Sequence, residues 1–291
     1  MDNFKMAYLI SCHKNVDQVN SLISQLDYKN VDFYIHVDKK SNILDRIIQK
    51  ENIFFIKERI EVVWGDSSQV MATLKLMEAA KYSGVEYQYI HLLSGQDYPL
   101  KSNQEIEDFF KKHMGKQFID CTLMKKNWLR RVYVYYPRVL MGNKLEVAFF
   151  RAIYSRVIML TFIFRRRITQ YPHFYQGSSW FSITGDAMLY IVDYLQKNPD
   201  FLKFINNTLC CDEFVFQTIL GNSIYKDKLC ENMRYIDWSE KKSSPKILRE
   251  CDLQDLIKSN KIFARKFDSS VDNNIIGIIS ENISLESVNI Y

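Results

Sequence analysis

The chain has 291 residues, of which 47% are hydrophobic and 25% charged, a balance that excludes an intrinsically disordered protein. It contains only 9 Gly and 5 Pro and shows no internal repeat or low-complexity linker, so a single domain over residues 1–291 is expected. No signal peptide precedes the first strand-like run, and no uncharged apolar run reaches the ~18 residues of a spanning helix. Six cysteines without CxxC or metal-site spacing predict reduced thiols, which suits a cytoplasmic protein.

Strand-like and helical patterns alternate over the first 120 residues. Strands are predicted at 5–11, 31–37, 52–56 and 87–93, and helices at 16–26, 67–82 and from 103 onward. Asn15 is predicted as the N-cap of the first helix, with Gln18 three residues later completing a capping box. The alternation predicts an α/β fold with a mostly parallel central sheet, flanking helices and right-handed crossovers.

Polar side chains follow three of these strands: Ser11 and His13 after the first, Asp38 after the second, and Gln96 with Asp97 after the fourth. Ligands of parallel α/β sheets bind at the carboxyl ends of the strands, so a nucleotide site is expected there. The chain has neither GxGxxG nor GxxxxGK[ST], so this site must bind its nucleotide without a glycine-rich loop.

Two adjacent carboxylates, Asp212 and Glu213, open a segment that reads as an amphipathic helix ending at Leu220. Asp212 is predicted as its N-cap, which places Glu213 in the first turn. The structural interpretation is a well-capped helix whose acidic start complements the helix dipole. The functional interpretation is a site carboxylate, and it depends on the segments elsewhere in the chain.

Positive charge is concentrated between residues 122 and 170, where eleven Lys or Arg accompany one acid, Glu146. The other 28 Lys and Arg are outnumbered by 33 Asp and Glu. Aromatic residues are frequent in this stretch, and its apolar run 157–164 is followed by three arginines at 165–167. We expect a basic helical insertion that contacts anionic lipid at a membrane surface. The alternatives are a helical hairpin packed on the core or an oligomer contact; no nucleic-acid motif is present.

Five ordered segments resemble the core-2/I-branching β-1,6-N-acetylglucosaminyltransferase family, to which the peptide O-xylosyltransferases are related. They are IHVDKK at 35–40, LSGQDYPLK at 93–101, QGSSWFSIT at 176–184, CDEF at 211–214 and FARKFD at 263–268. Cys211 replaces the proline that usually precedes the Asp-Glu pair. No family segment can be placed in residues 122–170. The membrane anchor and disulfides of animal members are missing, so the resemblance implies a bacterial-type enzyme of the cytoplasm, peripheral at the inner face of the membrane.

The resemblance implies a GT-A-like nucleotide-sugar transferase that inverts the anomeric centre without a metal or other cofactor. Glu213 would then be the general base, and Lys266 and Arg234 would bind the diphosphate, with Arg265 the competitor of Lys266. No Asp-x-Asp is present, although His36 and Asp38 could mimic half of this metal-holding motif.

Further residues are assigned to the two substrates, each with a structural alternative. Ser11 and His13 would line the base pocket, Asp38 would bind the uracil or ribose or form a turn, and Trp64 would pack on the nucleotide or fill the core. Asp97 is either an acceptor-site carboxylate or a turn cap. The residues assigned to acceptor or sugar are Asp97, Gln176, Gly177, Ser178, Trp180 and Asp212.

The expected reaction moves N-acetylglucosamine from UDP-GlcNAc onto a hydroxyl of a glycan acceptor, such as a lipid-linked precursor of a surface polysaccharide. One alternative keeps the chemistry but uses UDP-xylose as the donor. Another is a non-catalytic membrane-binding or glycan-binding relative, which the joint presence of the Asp-Glu pair and Lys266 disfavours.

Overall fold

The computed structural model describes residues 4–161, 166 and 173–288. Its strands are β1 Met6–Cys12, β2 Val31–Val37, β3 Ile53–Phe55, β4 Tyr89–Ser94, β5 Asp97–Pro99, β6 Gln117–Phe118, β7 Thr122–Leu123, β8 Tyr175–Gln176, β9 Ser182–Thr184, β10 Leu229–Cys230, β11 Arg234–Ile236 and β12 Phe263–Arg265. Its α-helices are α1 Val16–Leu26, α2 Ser68–Tyr82, α3 Asn103–Lys112, α4 Leu129–Tyr133, α5 Leu145–Leu160, α6 Gly185–Lys197, α7 Pro199–Ile205, α8 Val215–Gly221, α9 Leu253–Lys258 and α10 Ile275–Val288.

A mostly parallel sheet organises the fold, with strand order β10-β6-β9-β4-β1-β2-β3 in the described part of the chain. Strands β1 to β4 run parallel, whereas β9 is antiparallel to both β4 and β6. The predicted α/β class and the predicted strands of the first half are therefore confirmed. The prediction of parallel pairing came from the first 120 residues, and the antiparallel strand β9 lies after them.

The central strands are buried on both faces because helices cover each side of the sheet. Along β1, Tyr8 and Ile10 join the core that includes α1, α3 and α10, whereas Ala7 and Leu9 join the core that includes α2, α6 and α8. Successive strand residues point to opposite faces, so one continuous apolar run serves both cores. This arrangement leaves the carboxyl ends of the strands as the open edge.

The predicted capping box at α1 is wrong. Asn15 adopts a left-handed conformation with φ 53° and its side chain makes no capping hydrogen bond. Instead its amide donates to Asp268 at 2.7 Å, and the Gln18 amide donates to the Gly95 carbonyl at 2.7 Å. Both residues therefore connect the start of α1 to loops after β4 and β12, contacts that no local pattern reveals.

A small sheet of order β11-β12-β5 is joined to the large one through Arg234. This buried guanidinium donates to the Phe181 carbonyl at 2.6 Å and to the Ser182 hydroxyl at 3.0 Å. Burial lowers the pKa of Arg234 to about 9, against the opposing charges of Asp97 and Asp120. Arg234 thus holds two sheets together, and its interior position corrects the prediction that it binds a diphosphate.

The basic segment contains helices, as predicted, but it begins with strand β7, which pairs with β8. It contains α4, a 3-10 turn at Arg138–Leu140, and α5. Val134, Tyr136 and Met141 form a small core beneath α5, against which Tyr154 and Ile158 of that helix pack. Residues 162–165 and 167–172 lie outside the described residues. They include the end of the predicted apolar run 157–164 and two of the three arginines that follow it, Arg165 and Arg167.

Two other sequence-based expectations can be compared with the structure. Each of the six cysteines is free, as the absence of paired spacing predicted. Across residues 4–161, 166 and 173–288, none of the helices combines the length and apolar character needed to cross a bilayer.

Replacing Arg234 with Met is expected to destabilise the protein by about 3 kcal/mol, because buried carbonyls lose their donor and nearby carboxylates lose their compensating charge. Urea unfolding followed by circular dichroism measures this loss. Lys258→Met, on the exposed face of α9, is the control and should leave the unfolding midpoint unchanged. Equal midpoints for the two variants would contradict the linking role of Arg234.

Candidate functional site

An open cavity of about 680 Å³ lies at the carboxyl edge of the large sheet. Its walls come from the ends of β1 and β2, the loop after β4, the turn before α8 and the residue after β12. Seven of the residues that the sequence singled out line it: Ser11, His13, Asp38, Trp64, Asp212, Glu213 and Lys266. The fold thus brings Ser11 and Lys266, which are 255 residues apart in the chain, to one site.

Asp38 lines the cavity and also forms a turn, so its two interpretations are compatible. Its carboxylate accepts from the Lys40 backbone N–H at 2.9 Å and from the Val62 backbone N–H at 3.3 Å. These bonds fix the side chain at the end of β2 and tie it to the chain on the opposite wall.

Trp64 forms part of the cavity rim rather than the core, since 41% of the residue is exposed. The Arg151 guanidinium lies 5.1 Å from the centroid of its ring, and the Trp64 carbonyl accepts from Gly142 at 2.9 Å. The core alternative for Trp64 is therefore wrong, and its indole is available to a ligand.

The Asp-Glu pair lies in a 3-10 turn, Cys211–Glu213, ahead of α8. Phe214 stands at the N-cap of α8, so the predicted capping role of Asp212 is wrong. The Asp212 carboxylate instead accepts from the Ser179 hydroxyl at 2.7 Å. The Glu213 carbonyl accepts from the Gly177 backbone N–H at 2.9 Å, which anchors the turn to the segment after β8.

Arg131 of α4 is the partner of the Glu213 carboxylate, through a hydrogen-bonded ion pair. Its guanidinium also lies 3.9 Å from the centroid of the Trp128 ring, which fixes its orientation. Sequence reasoning missed Arg131 because no family motif was recognised between residues 122 and 170. The excess of cations between 122 and 170 was the available signal, but it does not distinguish one arginine from another.

The two carboxylates of the turn differ in their surroundings. Burial, together with the adjacent Glu213 carboxylate, raises the pKa of Asp212 to about 6, against the opposing Ser179 hydrogen bond. The Glu213 carboxylate is instead paired with the Arg131 guanidinium. The pair therefore combines one carboxylate that protonates readily with one held by an arginine.

Lys266 presents a cation to the cavity without a counter-ion from the described residues, where its ammonium has neither a hydrogen bond nor an ion pair. Burial, then Arg265 and Lys14, lower the pKa of Lys266. Arg265 points elsewhere: its guanidinium is 4.3 Å from the Trp180 ring centroid and 3.6 Å from Asp97. Between these two candidates, Lys266 is the one that faces the cavity.

Five residues assigned to acceptor or sugar lie away from the cavity lining, and the first is Asp97. It is fully buried and accepts from the Ser94 backbone N–H at 2.9 Å and the Ser94 hydroxyl at 3.0 Å. The turn interpretation of Asp97 is therefore correct. Trp180 stacks on Arg265, and Gln176 is buried in β8, so both contribute to the wall behind the site.

Gly177 and Ser178 support the Asp-Glu turn rather than line the cavity. A Cβ on Gly177 would lie 1.7 Å from the Asp120 carbonyl oxygen, so only glycine allows this approach of two chains. The Ser178 carbonyl accepts from the Gln217 side-chain amide at 2.7 Å, which ties the same segment to α8. The predicted approach of this turn to a sugar is replaced by contacts that fix the turn's position.

The cavity also has polar lining residues that the sequence did not single out. They are Lys14, Lys40, Ser41, Gln69, Asn143 and Ser243; Gln96, which the sequence did place at this edge, lines the cavity as well. Lys14 and Lys40 already have partners, since Lys14 pairs with Asp268 at 2.5 Å and Lys40 donates to the Val62 carbonyl at 2.6 Å. Their proximity to His13 and Asp38 in the sequence was the signal that could have identified them.

Removing the Ser179 hydroxyl should raise the pKa of Asp212 further, because that hydrogen bond stabilises the charged carboxylate. Carbon-13 NMR of selectively labelled aspartate carboxyls measures this pKa in the wild type, near 6, and in Ser179→Ala. Ser178→Ala is the matched control, since the Ser178 hydroxyl contacts the Trp180 backbone N–H instead. An unchanged or lowered pKa in Ser179→Ala would contradict the assignment.

Comparison with known proteins places this site in context. Residues 6–258 match the family model "Core-2/I-Branching enzyme". The chain is 25% identical to xylosyltransferase 2 of Pan troglodytes over 94% of its own length, and spans 33% of that relative. It is also 25% identical to a human N-acetyllactosaminide β-1,6-N-acetylglucosaminyl-transferase, over 91% of this chain and 68% of the relative.

Two solved structures were also matched. Mouse xyloside xylosyltransferase 1 gives a TM-score of 0.36 at 10% identity, covering 89% of this chain and 97% of that one. The glycosyltransferase GlyE of Streptococcus pneumoniae gives 0.38 at 8% identity, covering 98% and 64%. The family match, which includes the segments that carry Ser11, Asp38 and the Asp212-Glu213 turn, shows that this chain belongs to the Core-2/I-branching enzyme family.

Proposed function

We propose that the protein is an inverting glycosyltransferase that uses Glu213 as general base and Lys266 to bind the diphosphate of a nucleotide sugar. The observation that carries this proposal is the common cavity, which joins the Asp-Glu turn to a lysine without a counter-ion. A transfer from a nucleoside diphosphate sugar needs both groups, because a proton leaves the acceptor while negative charge develops on the leaving diphosphate.

Glu213 takes the proton from the acceptor hydroxyl as that oxygen attacks the anomeric carbon. The hydrogen bond from Arg131 holds the Glu213 carboxylate in a fixed orientation before the acceptor arrives. Asp212 lies in the same turn, where its hydrogen bond to Ser179 and the backbone bond from Gly177 to Glu213 restrict movement of the pair. A fixed base is effective because proton transfer requires contact within about 3 Å.

Lys266 supplies positive charge to the diphosphate, with Lys14 and Lys40 on the same cavity lining. We propose that these fixed cations take the place of a metal ion. Two observations support this view. The His36 Nε2 accepts from the Ile60 backbone N–H at 2.8 Å, so the lone pair of this nitrogen is already used. Among the described residues, no three His, Cys, Asp or Glu side chains are grouped to hold an ion.

The proposed donor is UDP-N-acetylglucosamine, with Ser11, His13, Asp38 and Trp64 around the nucleotide. The proposed acceptor is a hydroxyl of a glycan in a surface-polysaccharide precursor, at the inner face of the membrane. The similarity to a β-1,6-N-acetylglucosaminyl-transferase supports this sugar, and the similarity to xylosyltransferase 2 supports UDP-xylose as the second candidate. A screen of both donors by mass spectrometry of the products separates them.

Glu213→Gln is expected to lower the transfer rate by roughly 10²–10⁴-fold, because the amide cannot accept the hydroxyl proton. Transfer is measured with both UDP-sugars, and UDP affinity by calorimetry should stay near that of the wild type. Glu281→Gln, exposed on α10, is the control for loss of a carboxylate. Near wild-type transfer by Glu213→Gln would refute its role as base.

Lys266→Met is expected to weaken UDP binding by roughly 10- to 100-fold, the loss typical of a hydrogen bond to a charged group. Lys112→Met, exposed at the end of α3, should bind UDP normally.

In the transfer assay, the wild type should keep its rate in excess chelator. Loss of transfer that manganese restores would instead indicate a metal at the diphosphate.

A further inference from the structure

A second groove, of about 840 Å³, lies beside the cavity and has a strongly positive lining. Its charged residues are all cations: Lys126, Arg130, Arg131, Arg151 and Arg156. No Asp or Glu among the described residues lines it. A concave surface with this charge is suited to an anionic group, since several positive charges act on one enclosed volume.

Most of these cations lack a protein counter-charge. Across the described residues, Lys126, Arg130 and Arg156 form no ion pair. Arg151 donates to the Leu140 and Gly142 carbonyls, at 3.0 and 2.9 Å, and so remains charged without a carboxylate. The groove therefore holds several positive charges close together, an arrangement that an anionic ligand would stabilise.

The groove adjoins the catalytic turn. Arg131 lines the groove and bonds to the Glu213 carboxylate, which lines the cavity. Leu209 lines the groove, and the next residue, Cys210, lines the cavity. A molecule in the groove therefore lies next to the turn that carries Glu213, with Arg131 between them.

Helix α5 borders the groove and exposes an apolar face. Its buried side faces the Tyr136 core through Tyr154 and Ile158. The exposed apolar side chains recur at helical spacing, and they are Leu145, Phe149, Phe150, Ile153, Val157 and Leu160. Phe149 and Phe150 are 62% and 61% exposed, whereas aromatic side chains of this size are normally buried. Leu160 belongs to both this face and the groove lining.

We propose that the groove binds the phosphate of a lipid-linked acceptor, while the exposed face of α5 lies in the membrane interface. This inference rests on the proposed glycosyl transfer, because it places the glycan of that lipid at Glu213. Charge complementarity selects a phosphate for the groove, and the contiguous apolar face selects a long apolar chain attached to it. A soluble phosphate would leave the α5 face unexplained, and a flat anionic bilayer would leave the concave groove unexplained.

Sedimentation with vesicles tests the occupant. Three vesicle types are compared: phosphatidylcholine alone, phosphatidylcholine with a long-chain alkyl phosphate, and phosphatidylcholine with phosphatidylserine at equal surface charge. The wild type should bind the alkyl-phosphate vesicles tightest. Arg130→Gln combined with Arg156→Gln should lower that binding by roughly 25-fold, since each cation near an anionic surface contributes about fivefold.

Phe149→Asn combined with Phe150→Asn should also weaken binding to the alkyl-phosphate vesicles. Two controls match these changes: Lys112→Gln with Lys258→Gln for charge, and Ile224→Asn for an apolar residue that is 81% exposed elsewhere. Both controls should bind as the wild type does. Thermal unfolding midpoints confirm that every variant is folded.

Equal binding to the two anionic vesicle types would overturn the proposal in favour of general attachment to the membrane surface. Absence of vesicle binding, with inorganic diphosphate still protecting the wild type but not the arginine variant from unfolding, would leave a soluble anion as the occupant. The vesicle readout does not depend on catalysis. Failure of Glu213→Gln to lose transfer would therefore refute the proposed function and not this one.

Discussion

The ion pair between Arg131 and Glu213 connects the two parts of this protein that its sequence keeps separate. Glu213 belongs to one of the five family segments recognised in the sequence, and Arg131 to the basic segment 122–170, in which none of them was recognised. The orientation of the Glu213 carboxylate thus depends on where α4 packs. That packing depends in turn on Trp128, which stacks on the arginine. The basic segment, in which no family motif was recognised, is therefore part of the site in the fold.

Rigid backbone contacts hold the other end of this arrangement. The approach of Gly177 to the Asp120 carbonyl leaves no room for a side chain, and the Gly177 N–H donates to Glu213. Ser179, two residues further, donates to Asp212. The segment that contains Gly177 and Ser179 therefore lies behind the site. Its role is to position the turn that carries both carboxylates.

The sequence predicted the strands and the contents of the cavity better than the roles of individual side chains. Apolar periodicity and polar strand ends are local signals, so β1, β2, Ser11 and Asp38 were placed correctly. Arg234 and Asp97 were misassigned, because a charged residue in a family motif looks the same whether it meets a ligand or a partner strand. Arg234 lies against Phe181, and Asp97 against Arg265, at separations that no periodicity encodes. The capping predictions for Asn15 and Asp212 failed for the same reason, since distant partners hold both side chains.

Lys266 follows β12, the middle strand of the small sheet, which pairs with β5 from the first third of the chain and with β11. The cavity therefore lacks Lys266, its lysine without a counter-ion, until the polypeptide has been synthesised beyond residue 266. A nascent chain can assemble β1 to β4 long before this point, because those pairings involve only the first 94 residues. If Lys266 binds the diphosphate as proposed, nucleotide affinity arises late during synthesis, after the main sheet has formed, and not gradually as the sheet grows.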